Sequence, residues 1–176
     1  MTQVSPRVVI GQVDSLVQMR KNLKGEHMIS KILVPTDGSK TAQKAARYAV
    51  DLAKQLKASI IVLSVFDRNS FVGWSSADSA ASPQAVESME SSLQEAAKKH
   101  GHAVKKLCDK HGIQSETILT TGHPVEDIVK EAKRSKADLI VMGSHGRSAL
   151  TAAVLGSVAY GVIHRDIKTP VLVVKR

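Results

Sequence analysis

The sequence predicts an α/β fold: one open, mostly parallel five-stranded sheet with helices on both faces. Three observations carry that expectation. Short unbroken apolar runs recur, as in Ile32-Leu33-Val34, Ile60 to Leu63 and Leu139 to Met142, with the length and continuity of strands covered on both sides. Between them lie segments whose apolar residues recur at helical spacing. Two of the runs stop abruptly at loop formers, one at Pro35-Thr36-Asp37-Gly38 and one at Gly143. Five strands alternating with four helices imply right-handed crossovers and a parallel sheet. Ligands in such sheets bind beyond the carboxyl ends of the strands, where the strand order reverses.

Taken in order, residues 1–29 form an N-terminal extension, helical or disordered, in which Val13, Leu16, Val17 and Leu23 are loosely helical and Gly25 is a stop. Residues 30–176 form the single domain. Lys31 to Val34 is the first strand, and Ser39 is a good N-cap for a helix whose thin face runs from Ala42 through Ala45, Ala46, Ala49 and Ala53 to Leu56. Ser59 to Phe66 is the second strand. Residues 67–83 lose all periodicity and hold five serines, so they read as a long loop, with Trp74 placed to close over a ligand or to pack on the surface. Gln84 to Gly112 is a long helix with Val86, Met89, Leu93, Ala97, Val104 and Leu107 on its buried face. His100, His102 and His111 on or near it read as solvated helix histidines, since no further metal ligands match them. Ser115 to Thr121 is the third strand, Pro124 opens a helix bearing Val125, Ile128 and Ala132, and Leu139 to Met142 and Val171 to Val174 are the last two strands.

Composition narrows the class. With 176 residues and 43% hydrophobic content the chain has material for one full core. No apolar run reaches the 18 or more residues of a membrane helix, and Val8-Val9-Ile10 gives way at once to Gly11, too short for a signal-peptide core; the expected compartment is the cytoplasm, with no membrane partner. The single cysteine, Cys108, has no internal partner and is expected to pack a helix. A net charge of +9 raises nucleic-acid binding, yet the excess is spread, +2 in residues 1–29 and +7 beyond them, and aromatic content is 3%, leaving little to stack on bases. A solvated basic surface is the expected reading.

The chemistry lies between the last two strands. Gly143, Gly146 and Gly156 are spaced G-x2-G-x9-G, Ser157 follows, and Val158 to Ile163 has the spacing of a short helix. Glycine lets a backbone approach an anion closely and tolerates positive φ, while a helix start offers unpaired amides and the positive end of its dipole. The pattern reads as a phosphate loop. There is no G-x4-G-K-[ST], no G-x-G-x-x-G after the first strand and no G-x-S-x-G elbow, so P-loop, dinucleotide and α/β-hydrolase devices are missing. A nucleophilic pair of His145 with Ser144 or Ser157 is not expected, because adjacent residues project differently and no third orienting group is indicated.

These residues make the chain resemble the universal stress protein family, in its nucleotide-binding branch. The branch carries G-x2-G-x9-G-[ST], here Gly143, Gly146, Gly156 and Ser157 without departure, and a first-strand loop like Val34-Pro35-Thr36-Asp37-Gly38-Ser39. The likeness spans Ile29 to Arg176. It implies a Rossmann-like fold and ATP, AMP or ADP as ligand, with adenine near Pro35, Thr36, Asp37 and the backbone of Val65. Met142 and Gly143 would lie beside the nucleoside, and Gly146, Gly156, Ser157 and Val158 would hold the phosphates. Asp37 would meet the ribose or a phosphate-bound magnesium, or simply cap its loop; Arg147 would pair with a phosphate or stand solvated. The resemblance also implies a homodimer, expected through the C-terminal strand, and a stress-response or signalling switch. The alternative is a slow ATPase using the same site.

Overall fold

The computed structural model describes residues 8–9, 29–67, 83–147, 155–165 and 168–175. Its strands are β1 (Val8–Val9), β2 (Lys31–Pro35), β3 (Ser59–Phe66), β4 (Ser115–Thr121), β5 (Leu139–Gly143) and β6 (Val171–Val174). Its helices are α1 (Lys40–Leu56), α2 (Pro83–Lys110), α3 (Pro124–Ser135) and α4 (Ser157–His164). The five expected strands are present, and all pairings are parallel in the order β1-β6-β5-β2-β3-β4.

The unbroken apolar runs are explained by the pleat. Successive strand residues point to opposite faces, so a strand buried on both sides has no polar position to spare. Ile32, Val34, Leu139, Val141, Leu172 and Val174 pack on one face with the alanines of α1 and with Val104 and Cys108 of α2. Leu33, Ile61, Leu63, Ile140, Met142 and Val173 pack on the other with α3 and α4. Cys108 is fully buried, as expected, and that burial pushes its thiol above the ordinary range, which keeps it un-ionised.

Local chemistry sets the helix ends. Ser39 Oγ accepts the amide of Ala42 at 3.2 Å and starts α1. Lys57 and Lys136, in the left-handed region, close α1 and α3. The stop expected at Gly112 is there too: α2 ends at Lys110, and Gly112 turns at φ +67.

Two expectations concern the chain ends. Of residues 1–29, Val8 and Val9 form a strand on the outer side of β6, opposite Val171 and Leu172; the helical reading over Val13 to Leu23 lies outside the described residues. The C-terminal strand is therefore second from the edge, because the amides and carbonyls of its first half find partners in that segment. The loop over 68–82, with Trp74, also lies outside the described residues.

Strand order reverses at β2. The chain runs outward to β3 and β4 on one side, then returns to place β5 and β6 on the other. The crevice is thus at the carboxyl ends of β2 and β5. From these two strands leave the Asp37 loop and the Gly143 loop.

Candidate functional site

Both loops open on one cavity of about 1000 Å³, at the upper end of the range for small-molecule sites. Its floor is Pro35, Thr36, Leu63, Val65, Met142 and Gly143 at the strand ends; Gly146, Arg147, Gly156, Ser157 and Val158 form one side, and residues of α2 the other. Every residue expected at the site therefore lines it, including Asp37.

The β2–α1 loop is held by its own side chains. Thr36 Oγ1 accepts the amide of Gly38 at 3.3 Å, Asp37 Oδ1 accepts that of Ser39 at 3.0 Å, and Gln43 Nε2 donates to the Gly38 carbonyl at 2.8 Å. Gly38 sits at φ +78, where a side chain would be strained. Across the crevice, Asp37 Oδ2 accepts the amide of Arg147 at 3.1 Å, and the hydroxyls of Thr41 and Ser39 donate to the carbonyl of His145.

This geometry revises the reading of the glycines. None of Gly143, Gly146 and Gly156 has positive φ, so their use here is close approach. A Cβ on Gly143 would lie 2.8 Å from the backbone of Thr41 and Ala42, and one on Gly146 would lie 2.9 Å from Asp37 Oδ2. One on Gly156 would meet His145 Cα at 3.1 Å and the Ser144 carbonyl oxygen at 3.2 Å. The Gly156 amide donates to that same carbonyl at 2.7 Å. Anion donors are left at the start of α4, where the amides of Ser157, Val158 and Ala159 have no i−4 carbonyl within the helix.

Three further expectations meet the structure. Ser144 and His145 do bond, Oγ to Nδ1 at 2.9 Å, although they are adjacent in sequence; Ser144 is fully buried at the edge of the cavity. Asp37 accepts a backbone amide on each carboxylate oxygen, and no group of three His, Cys, Asp or Glu suited to a metal occurs among the described residues. His102 and His111 are exposed, as expected, but His100 is half-buried and lines the cavity. Sequence reasoning missed it. The available signal was Gly101, an isolated glycine inside a helical pattern, which usually marks close packing.

No helix among the described residues is long and apolar enough to cross a membrane. The model of the universal stress protein family matches residues 28–175. Universal stress protein MJ0531 of Methanocaldococcus jannaschii is 40% identical over 152 residues, 86% of this chain and 85% of that protein. The solved structure of MJ0577 from the same organism superposes with a TM-score of 0.70 at 34% identity, covering 85% of this chain and 98% of that one. A universal stress protein in complex with cAMP superposes with a TM-score of 0.55 at 25% identity, covering 85% and 98%.

Proposed function

We propose that this chain, which belongs to the universal stress protein family, binds an adenine nucleotide in the cavity between the Asp37 and Gly143 loops and works as a switch rather than as a metabolic enzyme. One observation carries the reading. Two loops from neighbouring strands, locked to each other through Asp37 and Arg147, frame a cavity on which the first turn of α4 opens, its amides without a partner within the helix. The cAMP complex of a family member supports the adenine class.

In this reading the phosphates, of AMP, ADP or ATP, lie at Gly146, Gly156, Ser157 and Val158, and the nucleoside lies over Pro35, Thr36, Asp37, Val65, Met142 and Gly143. Asp37 acts on the protein's own loops, and magnesium accompanying the nucleotide rides on its phosphates. When bound, that ion would neutralise phosphate charge. The chain's residues position the ligand and exclude water; a cradle that holds ground and transition states alike gains affinity without rate. The expected compartment is the cytoplasm.

Calorimetry of the purified protein with AMP, ADP and ATP tests the binding: saturable heat with at least one of them is expected, and none with any would end the proposal. Phosphate release under saturating ATP and magnesium separates switch from ATPase. Turnover far below about one per second is expected, the low end of ordinary enzymes.

We also propose a homodimer joined at the β6 side of the sheet, where apolar Val173 and Val174 extend beyond the residues that β1 pairs. Light scattering should give twice 18.9 kDa. A monomer mass at micromolar concentration would count against it.

A further inference from the structure

We propose that His100 of α2 is a specificity-determining residue that reads the nucleoside end of the bound nucleotide. This rests on the nucleotide reading above and adds to it a residue from a different element.

The ring is held at the cavity by close packing. At Gly101 a Cβ would lie 2.8 Å from Thr117 Cγ2 and 3.1 Å from Ser64 Oγ, so α2 presses directly on β3 and β4 there. That approach carries the adjacent His100 over the β2–α1 loop. A Cβ on Gly38 would lie 2.2 Å from His100 Nδ1 and 2.4 Å from Cε1, which places the imidazole directly on the Gly38 α-carbon. Gly38 is itself pinned by Thr36 and Gln43, so the ring rests on a fixed surface.

The order of groups across the crevice decides what the ring meets. From the start of α4 and Gly146 the chain of contacts runs to Asp37, then Gly38, then His100. The anion donors belong to the loop after β5, and His100 lies on the β2–α1 loop, on the side where Gly101 packs on β3 and β4. At least one strand spacing, about 5 Å, therefore separates the phosphate end from the imidazole. A nucleotide seated with its phosphates on α4 turns its base and ribose toward His100. The same cavity is lined by Val65, Leu93 and Ala97, with Asp67 just past the end of β3. An imidazole can hydrogen-bond through either ring nitrogen, and in a mostly apolar pocket a few polar groups set the ligand's orientation. Both the adenine edge and the ribose hydroxyls present matching groups.

The experiment is calorimetry on the full chain and on His100→Ala and His100→Gln, with AMP, ADP, ATP, 2′-deoxy-ATP and GTP, each variant's fold being checked by thermal unfolding without ligand. The expected result for His100→Ala is a loss of affinity of about tenfold, equal for AMP, ADP and ATP, with partial recovery in His100→Gln. A narrowed ratio of ATP to GTP assigns the contact to the base. A narrowed ratio of ATP to 2′-deoxy-ATP assigns it to the ribose. Unchanged affinity overturns the inference, as does a loss that grows with the number of phosphates. A uniform loss that leaves both ratios as in the parent also overturns it, since disturbed loop packing alone would give that. A parent protein that binds no adenine nucleotide overturns the nucleotide reading and this inference together, whereas a binding parent with unaffected variants overturns this one alone.

Discussion

The two loops that frame the cavity reach their shapes by different means. The β2–α1 loop is four residues, Thr36 to Ser39, and is self-supporting: its side chains bond its own amides, and Gln43 reaches back from the first turns of α1. The connection from β5 to α4 spans residues 144–156, and its described start draws support from outside. The carbonyl of His145 is held by Ser39 of the short loop and Thr41 of α1, and the amide of Arg147 by Asp37. A short loop can satisfy its polar groups locally, whereas a long one has more backbone to satisfy than its own side chains reach. The shorter loop thus braces the described start of the longer, residues 144–147, and that part of the phosphate side depends on residues of the nucleoside side.

That dependence can be broken in graded steps. The largest effect is expected from Gly143→Ala, whose new methyl would meet the backbone of Thr41 and Ala42 at 2.8 Å, where no flexible side chain can yield. Overpacking against rigid backbone should cost about 3 kcal/mol, measurable as a lower denaturant midpoint with unchanged slope. An unaltered midpoint would mean that the end of β5 and the start of α1 are not in contact at this seam.

Asp37→Asn comes next. With one oxygen kept on Ser39, the new amide group faces the Arg147 amide donor to donor, so the bridge is lost while the short loop persists. The expected loss is about 2 kcal/mol, in the range for a hydrogen bond to a charged group. Amide exchange should speed at Gly146 and Arg147 and stay slow through Ala42 and Gln43. Equal acceleration on both sides would show that neither loop leads.

The smallest effect sharpens the comparison. Ser39→Ala removes the N-cap of α1 and one weak bond, at 3.4 Å, to His145, but leaves Thr41 and Asp37 in place. About 1 kcal/mol of stability should go, as for other capping residues, with nucleotide affinity changed less than twofold. A larger loss of affinity than of stability would assign Ser39 to the ligand.

Much of the fold was legible because apolar runs and helical spacing are local signals. Leu139 to Met142 could hardly be anything but a strand covered on both faces, and Ser39 and Gly112 marked helix boundaries where they occur. The glycine spacing pointed to the right loop for a partly different reason. Gly143, Gly146 and Gly156 are needed where chain meets chain, and an anion site is one consequence of that tight packing. The strand at Val8–Val9 escaped detection because two residues carry no periodicity, and its partner, β6, lies at the other end of the sequence.

The sequence by itself determined the order of five strands and four helices, the two faces of the core and the identity of the two loops, since each follows from spacing within a few residues. Only the tertiary structure decided what those loops do to each other. Asp37 and Arg147 are 110 residues apart in sequence, and His100 meets Gly38 across a helix packing that Gly101 allows. Such contacts depend on how deeply one element sinks onto another, a distance set by the summed fit of many side chains and written in no single stretch of the chain.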